Sequence, residues 1–408
     1  MTSHSAASDP LGLVGTTIAE KYAIEAIVGE GGFAIVYRAT HLLWKRPVAV
    51  KVFKSLSEVA ADQRAKLLDD FIQEGALLAE LSERSTAIVQ ARDVGILPMA
   101  RGEGLPYMVL EWLEGETLDA TLVRERSQGA PLRTLEEVVR LLDPVAEALA
   151  LAHKKGIVHR DVKPANVFVL SSHAAEKSAV KLLDFGIAKV VQDAQKMGFA
   201  KTAGHITSFT PLYGAPEQFN RSYGATSPAT DVFALALVAA ELASAKEPMV
   251  GDSLVQLAYA SADINNRPTP RALGVATSDE VEAVFLKAVA VRPEDRYQTA
   301  GEFWSALRMA LNGEPMKLSQ SERSLRAAPL PIAPTVVDTS GASAAGSTFN
   351  PAHVRTGSPP PPSKTPLIVG GIVVAILAVG GVVVALKGKG ADAGGGTSTA
   401  SASPSAVP

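Results

Sequence analysis

The chain has no cysteine in 408 residues. Disulfides and thiolate metal sites are therefore excluded, an absence compatible with a reducing cytoplasm. It also lacks a surplus of positive charge: 39 Lys and Arg face 42 Asp and Glu, for a formal net charge of −3. With no excess cation to neutralise phosphates, no nucleic-acid partner is expected. The opening stretch, Met1 to Pro10, is small and polar, with no basic patch leading into an apolar core. It does not read as a secretory signal. No internal repeat is visible. What is present is ordinary for a globular protein, with 47% hydrophobic and 20% charged residues. The length allows two or three domains, or one large domain with appendages.

One long apolar run stands out at 367–386, where Leu, Ile, Val, Ala and Gly follow one another without a charge. As a helix it would span roughly 30 Å, the thickness of a bilayer core, and its flanks are polar. A single transmembrane helix is expected there. Before it, 312–366 is rich in Pro, Ala, Ser and Thr, including four consecutive prolines at 359–362, and offers little to bury. That composition predicts a disordered linker spanning roughly 40 Å as a flexible coil. After the run, 387–408 reads as a low-complexity extracytoplasmic tail, and residues 1–20 as a flexible N-terminus. Gly371 with Ala375, and Gly381 with Ala385, are spaced as small residues are where membrane helices approach, so a homodimer is one expectation.

Between these flanks, alternation predicts strands over 22–28, 35–41 and 48–53. Helical spacing of apolar residues begins within 55–81 and returns over 135–155, 230–245, 278–289 and 299–311. A strand-rich start followed by a helix-rich body predicts an α+β protein with two lobes, 21–113 and 114–311.

The residues that carry chemistry fall within those lobes. His159-Arg160-Asp161-Val162-Lys163-Pro164-Ala165-Asn166 is followed by Asp184-Phe185-Gly186. This order supplies a proton acceptor in Asp161, a phosphate-facing cation in Lys163, and two magnesium-holding side chains in Asn166 and Asp184. Upstream, Gly29-Glu30-Gly31-Gly32-Phe33-Ala34 lies between two strands, where glycines let backbone N–H groups close over phosphate oxygens; read alone it is also an ordinary tight hairpin. Lys51 ends the strand Val48-Ala49-Val50-Lys51. A glutamate on the next helix would hold its ammonium against the α- and β-phosphates. Glu74 is the candidate, with Asp69, Asp70 and Glu80 as rivals.

These motifs, over about 22–311, resemble a eukaryotic-type serine/threonine protein kinase, in the style of the transmembrane kinases of bacteria. The resemblance implies a bilobal protein-kinase fold, with a small β-rich lobe and a larger helical one. It implies ATP with magnesium or manganese as cofactors, and transfer to Ser or Thr of protein substrates that the sequence does not name. In Tyr107-Met108-Val109-Leu110-Glu111-Trp112-Leu113 it places a hinge: Leu110 is the gatekeeper, and Glu111 and Leu113 face adenine. Val28, Val36, Ala49 and Phe168 would line the ring's site, with Gly29, Gly31, Gly32 and Ala34 over the phosphates. Glu217, in Ala215-Pro216-Glu217, is expected to pair with Arg296, and Asp231 to orient the catalytic loop. Thr210 should lie near Asp161 and Lys163. Thr202, Thr207 and Ser208 are the candidate activation-segment phosphosites, whose phosphate Arg160 would receive.

The chain departs from the family pattern at three places. Ala34 takes the third glycine position, Phe209 replaces a glycine before Thr210, and Gly214 stands where a larger residue is common. No folded sensor domain is expected beyond the apolar run. ATP supply places the kinase body in the cytoplasm, on a cell membrane crossed once. The rivals are a pseudokinase scaffold, disfavoured because Lys51, Asp161, Asn166 and Asp184 are all present, a small-molecule kinase, disfavoured by Glu217 and Arg296, and a membrane adaptor working through its proline-rich segment.

Overall fold

The computed structural model describes residues 9–31, 34–54, 61–98, 104–171, 180–185 and 209–313, with backbone only at 61–67. All belong to one compact unit, Met1–Ala328. The apolar run, the linker from 314 on and the tail lie outside the described residues, as do Gly32, Thr202, Thr207 and Ser208. Among the described residues no helix is long and apolar enough to cross a membrane.

The small lobe is a six-stranded antiparallel sheet. Its strands are β1 (Thr17–Ile18), β2 (Tyr22–Glu30), β3 (Ile35–His41), β4 (Arg46–Val52), β5 (Ala91–Pro98) and β6 (Gly104–Glu111). Their order is β1-β2-β3-β4-β6-β5. Side chains alternate across a strand. Ile35, Tyr37 and Ala39 pair with Val52, Val50 and Val48, and all six are buried on one face. Val36, Ala49 and Lys51, on the alternate positions, are half-buried on the other. The first face joins Leu13, Ile18, Tyr22 and Ile24 in a core of its own.

That core corrects the expectation of a flexible stretch over residues 9–20. Leu13 and Ile18 cover apolar strand residues that would otherwise face water, and β1 pairs with β2. Asp9 anchors the stretch by accepting from Leu11 N at 3.1 Å, Val14 N at 2.7 Å and the Tyr37 hydroxyl at 2.7 Å. Burial opposes its charge, but these donors outweigh that and hold the carboxyl below its usual range.

Helix α1 (Ala61–Arg84) lies against β5 and β6. Gly75 permits that approach, since a Cβ there would sit 2.8 Å from Val94. The large lobe begins with β7 (Gly115–Thr117), α2 (Leu118–Gln128) and α3 (Leu135–Lys154). Thr134 and Glu137 close a reciprocal capping box that starts α3, satisfying backbone donors that a helix start leaves open. Strands β8 (Val167–Leu170) and β9 (Val180–Leu182) complete a second sheet, ordered β7-β8-β9. There follow α4 (Pro216–Phe219), α5 (Pro228–Ser244), α6 (Leu254–Ala262), α7 (Asp279–Ala288) and α8 (Ala300–Leu311). After its first residue α5 is buried throughout, as expected of a helix apolar on every side. It packs against α3, α7 and α8 and forms the axis of the large lobe.

Candidate active site

The catalytic loop is held from behind by α5. Asp231, in the first turn of that helix, accepts from His159 N at 2.8 Å, Arg160 N at 2.7 Å and His153 Nε2 at 2.9 Å. A carboxylate at a helix N-terminus is favoured by the macrodipole, and three donors fix its orientation. The His159 ring ties the loop to the next segment: its Nδ1 accepts from Asp161 N and its Nε2 reaches Leu183 O at 2.7 Å. Leu183 N in turn donates to Asn166 O at 2.8 Å. Arg160 and Asp184 both take left-handed backbone, with φ of +71° and +61°. Non-glycine residues hold such conformations where surrounding bonds over-determine them, commonly at functional sites.

The side chains so presented converge. Asp161 Oδ1 accepts from Thr210 N at 2.8 Å. Its Oδ2 lies 2.8 Å from Lys163 Nζ and 3.1 Å from Asn166 Nδ2. Lys163 also donates to the Thr210 hydroxyl at 2.6 Å, as the sequence predicts. Asn166 Nδ2 donates further to Asp161 O at 2.7 Å, which leaves the amide oxygen of Asn166 for a cation.

Lys51 reaches across from the small lobe to Asp184, 2.6 Å away, with its side chain 12% exposed. Burial penalises the Asp184 charge, yet Lys51 and, further off, Lys163 hold the carboxyl below its usual range. Glu74 is buried on the face of α1 that meets the sheet, whereas of its rivals Asp70 is half-buried, Asp69 and Glu80 are exposed, and Glu80 pairs with Lys155.

Above them the glycine stretch is a hairpin: Gly29 pairs with Val36, Glu30 with Ile35, and Gly31 N donates to Ala34 O at 2.9 Å. A Cβ on Gly29 or Gly31 would meet nothing closer than 3.8 Å. Among the described residues, none packs into the space over either glycine. Ala34 is buried beneath the tip, and Val28 is 49% exposed beside a register shift in β2. Val36, Ala49 and Phe168 are each half-buried. Leu110 is buried opposite Ala49 across β4 and β6. The Glu111 side chain is engaged by Gln90 N at 2.8 Å and Lys181 Nζ at 2.5 Å. Leu113 follows in the half-buried stretch between β6 and β7.

Deeper in the large lobe, Glu217 and Arg296 form the expected pair through two parallel bonds of 2.9 Å, both side chains fully buried. Thr230 donates to Glu217 as well, and Arg296 reaches the carbonyls of Ala229, Ala290 and Val291.

Four residues, in two groups, carry no signal in the sequence. His153 bridges three helices, bonding Asp231 on α5 and accepting from Ala300 N of α8, but a lone histidine on an apolar helix face carries no signal. Tyr213 and Arg126 both bond the buried carboxylate of Glu241 on α5, at 2.5 and 2.6 Å. Their sequence separations, 28 and 115 residues, hide the cluster.

Comparison with known proteins agrees with this geometry. A family model described as "Protein kinase domain" matches residues 22–303. Serine/threonine-protein kinase PknB of Mycobacterium tuberculosis is 34% identical over 311 residues, covering 75% of this chain and 46% of that protein. PknB of Mycolicibacterium smegmatis is 35% identical over 319 residues, covering 76% and 47%. The chain thus spans less than half the length of these curated relatives. Among solved structures, the Mycobacterium tuberculosis PknI kinase domain superposes with a TM-score of 0.51 at 23% identity, over 72% of this chain and 98% of that one, a likeness of fold. The chain belongs to the protein kinase family.

Proposed function

We propose that this chain is a serine/threonine protein kinase, transferring the γ-phosphoryl group of ATP to protein hydroxyls and anchored at a membrane through 367–386. The carrying observation is the fixed carboxylate of Asp161, with one oxygen on Thr210 N and the other between Lys163 and Asn166. Asp161 orients the acceptor hydroxyl and takes its proton. Lys163, already beside that carboxylate, lies where charge on the transferring group must be offset, the larger part of catalysis in phosphoryl transfer. Asn166, through its amide oxygen, and Asp184 would hold magnesium, which supplies charge neutralisation between the phosphates; a few oxygen donors beside phosphate suit that ion. Lys51 would exchange part of its hold on Asp184 for the α- and β-phosphates, with Glu74 as its support on α1. The unused space above Gly29 and Gly31 suits close approach of phosphate, with Gly32 and Ala34 completing the loop. Val28, Val36, Ala49 and Phe168 would enclose adenine against Glu111 and Leu113.

Thr202, Thr207 and Ser208 are proposed as activating phosphosites, with Arg160 as receiver. The domain boundaries read from composition, 21–311 for the kinase body and 312–366 for the linker, belong to the same proposal, as does a cytoplasmic kinase body on a membrane crossed once. The relatives named serine/threonine-protein kinase PknB support the choice of acceptor.

The test is incubation of the full chain with γ-labelled ATP beside Asp161→Asn, with phosphosites located by mass spectrometry. Label on serine or threonine, reduced about 10²–10⁴-fold in the variant, is the expected result. Equal labelling by both proteins would overturn the assignment of Asp161. Release of the chain from membranes on deleting 367–386 checks the anchor.

A further inference from the structure

The turn between β3 and β4 presents apolar residues to water. Leu43 is 81% exposed and Trp44 62%, side by side at the tip of the hairpin. The tip is held in one shape. His41, buried beneath it, accepts through Nδ1 from Leu43 N and Trp44 N, both at 3.3 Å. Its ring lies flat against the Trp44 indole, with centroids 4.3 Å apart and planes 9° from parallel, and meets Tyr22 edge-on at 5.2 Å. Lys45 closes the turn in left-handed backbone, with φ +55°, and its N donates to His41 O at 2.8 Å. The indole is thus fixed, with most of its surface left to solvent.

Charge around the tip decides what it meets. Lys45 and Arg46 follow Trp44 directly. Leu42 N donates to Lys21 O at 2.7 Å, which brings Lys21 to the base of the tip. Lys21 and Arg92 share a cleft of about 390 Å³ with Leu43 and Trp44. All four cations are exposed. The acids nearby are fewer. Asp93, in the same cleft, accepts from the Tyr22 hydroxyl at 2.8 Å and lies 3.6 Å from Lys21, and Glu20 stands next to Lys21 in sequence. The patch carries a surplus of positive charge on a chain whose net charge is −3.

A stable protein interface takes about 20–30 residues a side, far more than this tip presents. A bilayer needs no matching surface. Its headgroup level suits Trp, its acyl boundary takes Leu, and its anionic lipids attract Lys and Arg. We infer that the Leu43–Arg46 tip is a membrane-docking element, which inserts Leu43 and Trp44 into an anionic bilayer surface. The inference rests on the anchor proposed through 367–386 and goes beyond it. The anchor keeps the kinase body near the bilayer, and the tip fixes which way that body faces. A weak contact suffices once a tether supplies the local concentration.

The test uses the full chain in phosphatidylcholine vesicles, with or without phosphatidylglycerol, whose acyl chains carry bromine to quench tryptophan. The chain has three tryptophans, and 367–386 contains none. In anionic vesicles Trp44 should be quenched, and Trp44→Phe should abolish that quench. Neutral vesicles should show little of it. Lys45→Gln with Arg46→Gln should lower the docked-to-free ratio about 25-fold, since each basic residue near an anionic surface strengthens attachment about fivefold. A chain that floats with both kinds of vesicle but shows no quench, or the same quench in both and in the double variant, overturns the docking assignment and leaves the anchor standing. A mass that doubles with concentration in detergent, and no longer does so in Trp44→Ser, gives the tip to a second copy and overturns it as well. A full chain that floats with neither kind of vesicle overturns the anchor and the docking assignment together.

Discussion

Removing Arg296 should cost more stability than removing any surface charge in this protein. The guanidinium makes two bonds of 2.9 Å to Glu217 and three more to the carbonyls of Ala229, Ala290 and Val291, and lies 4.8 Å from the Phe233 ring centroid. Neither charged side chain has any exposure. Arg296→Ala would leave the Glu217 carboxylate buried with Thr230 as its one donor among the described residues. Breaking a buried pair from one side costs about 3–5 kcal/mol, since an uncompensated charge stays in a low-dielectric interior. For a domain of this size that corresponds to a fall in Tm of about 10 °C. Arg296→Lys keeps the charge and loses the fork, so an intermediate loss follows. The revealing variant is the double replacement Glu217→Leu with Arg296→Met, which removes both charges. It should be more stable than Arg296→Ala, because no lone carboxylate is left behind. Urea denaturation followed by fluorescence measures all four proteins. A midpoint for Arg296→Ala within error of the parent, or a double variant no more stable than Arg296→Ala, would refute the reasoning.

Asp231→Ala deprives His159 N, Arg160 N and His153 of their acceptor. A loss of about 2–4 kcal/mol in urea denaturation is expected, together with a lower kcat at unchanged KM for ATP. Asp9→Asn tests the anchor of the N-terminal stretch. Its folded carboxyl titrates below the usual 3.8, so its contribution is present above that pH and lost as pH falls through the folded value. The variant should be less stable than the parent by about 1 kcal/mol at pH 7, with the gap closing in the acid limb of a Tm–pH series. Glu241 has the opposite sign: burial raises its carboxyl above 4.5 against the pull of Tyr213 and Arg126. Its favourable contribution is therefore present below that pH and fades as pH rises through the folded value. The Tm of Glu241→Gln relative to the parent should accordingly be more favourable at pH 7.5 than at pH 4.5.

The chemistry of this chain was legible because it sits in contiguous words. Asp161, Lys163 and Asn166 are near neighbours on one loop, and Thr210 follows from a motif that ends the same segment. The strands β2 to β4 were equally plain, since alternation with one buried face leaves little freedom of register. What stayed hidden is what depends on distance along the chain. The N-terminal stretch looked featureless because a few scattered residues, Leu11, Leu13 and Ile18, cover the sheet and make no clear period. Telling Glu74 from Asp69, Asp70 and Glu80 takes knowing which face of α1 meets the sheet. That close approach depends on Gly75, which reads in sequence as a mere helix weakener. Phe209 and Gly214 were visible as separate oddities, and only the 2.4 Å that a Cβ on Gly214 would leave to the Phe209 ring shows that one answers the other.

Helix α5 also works as a ruler. Asp231 near its start grips the loop carrying Asp161, and Glu241 near its end holds Tyr213 and so the turn that carries Thr210. Ten residues of helix set those grips about 15 Å apart along the axis. Both parts of the reaction centre are thus gauged against one rod buried on every side, and not only against each other. Such a gauge has a phase as well as a length. One residue inserted between Asp231 and Glu241 would turn the second grip by about 100°, away from Tyr213, while the helix itself stayed intact.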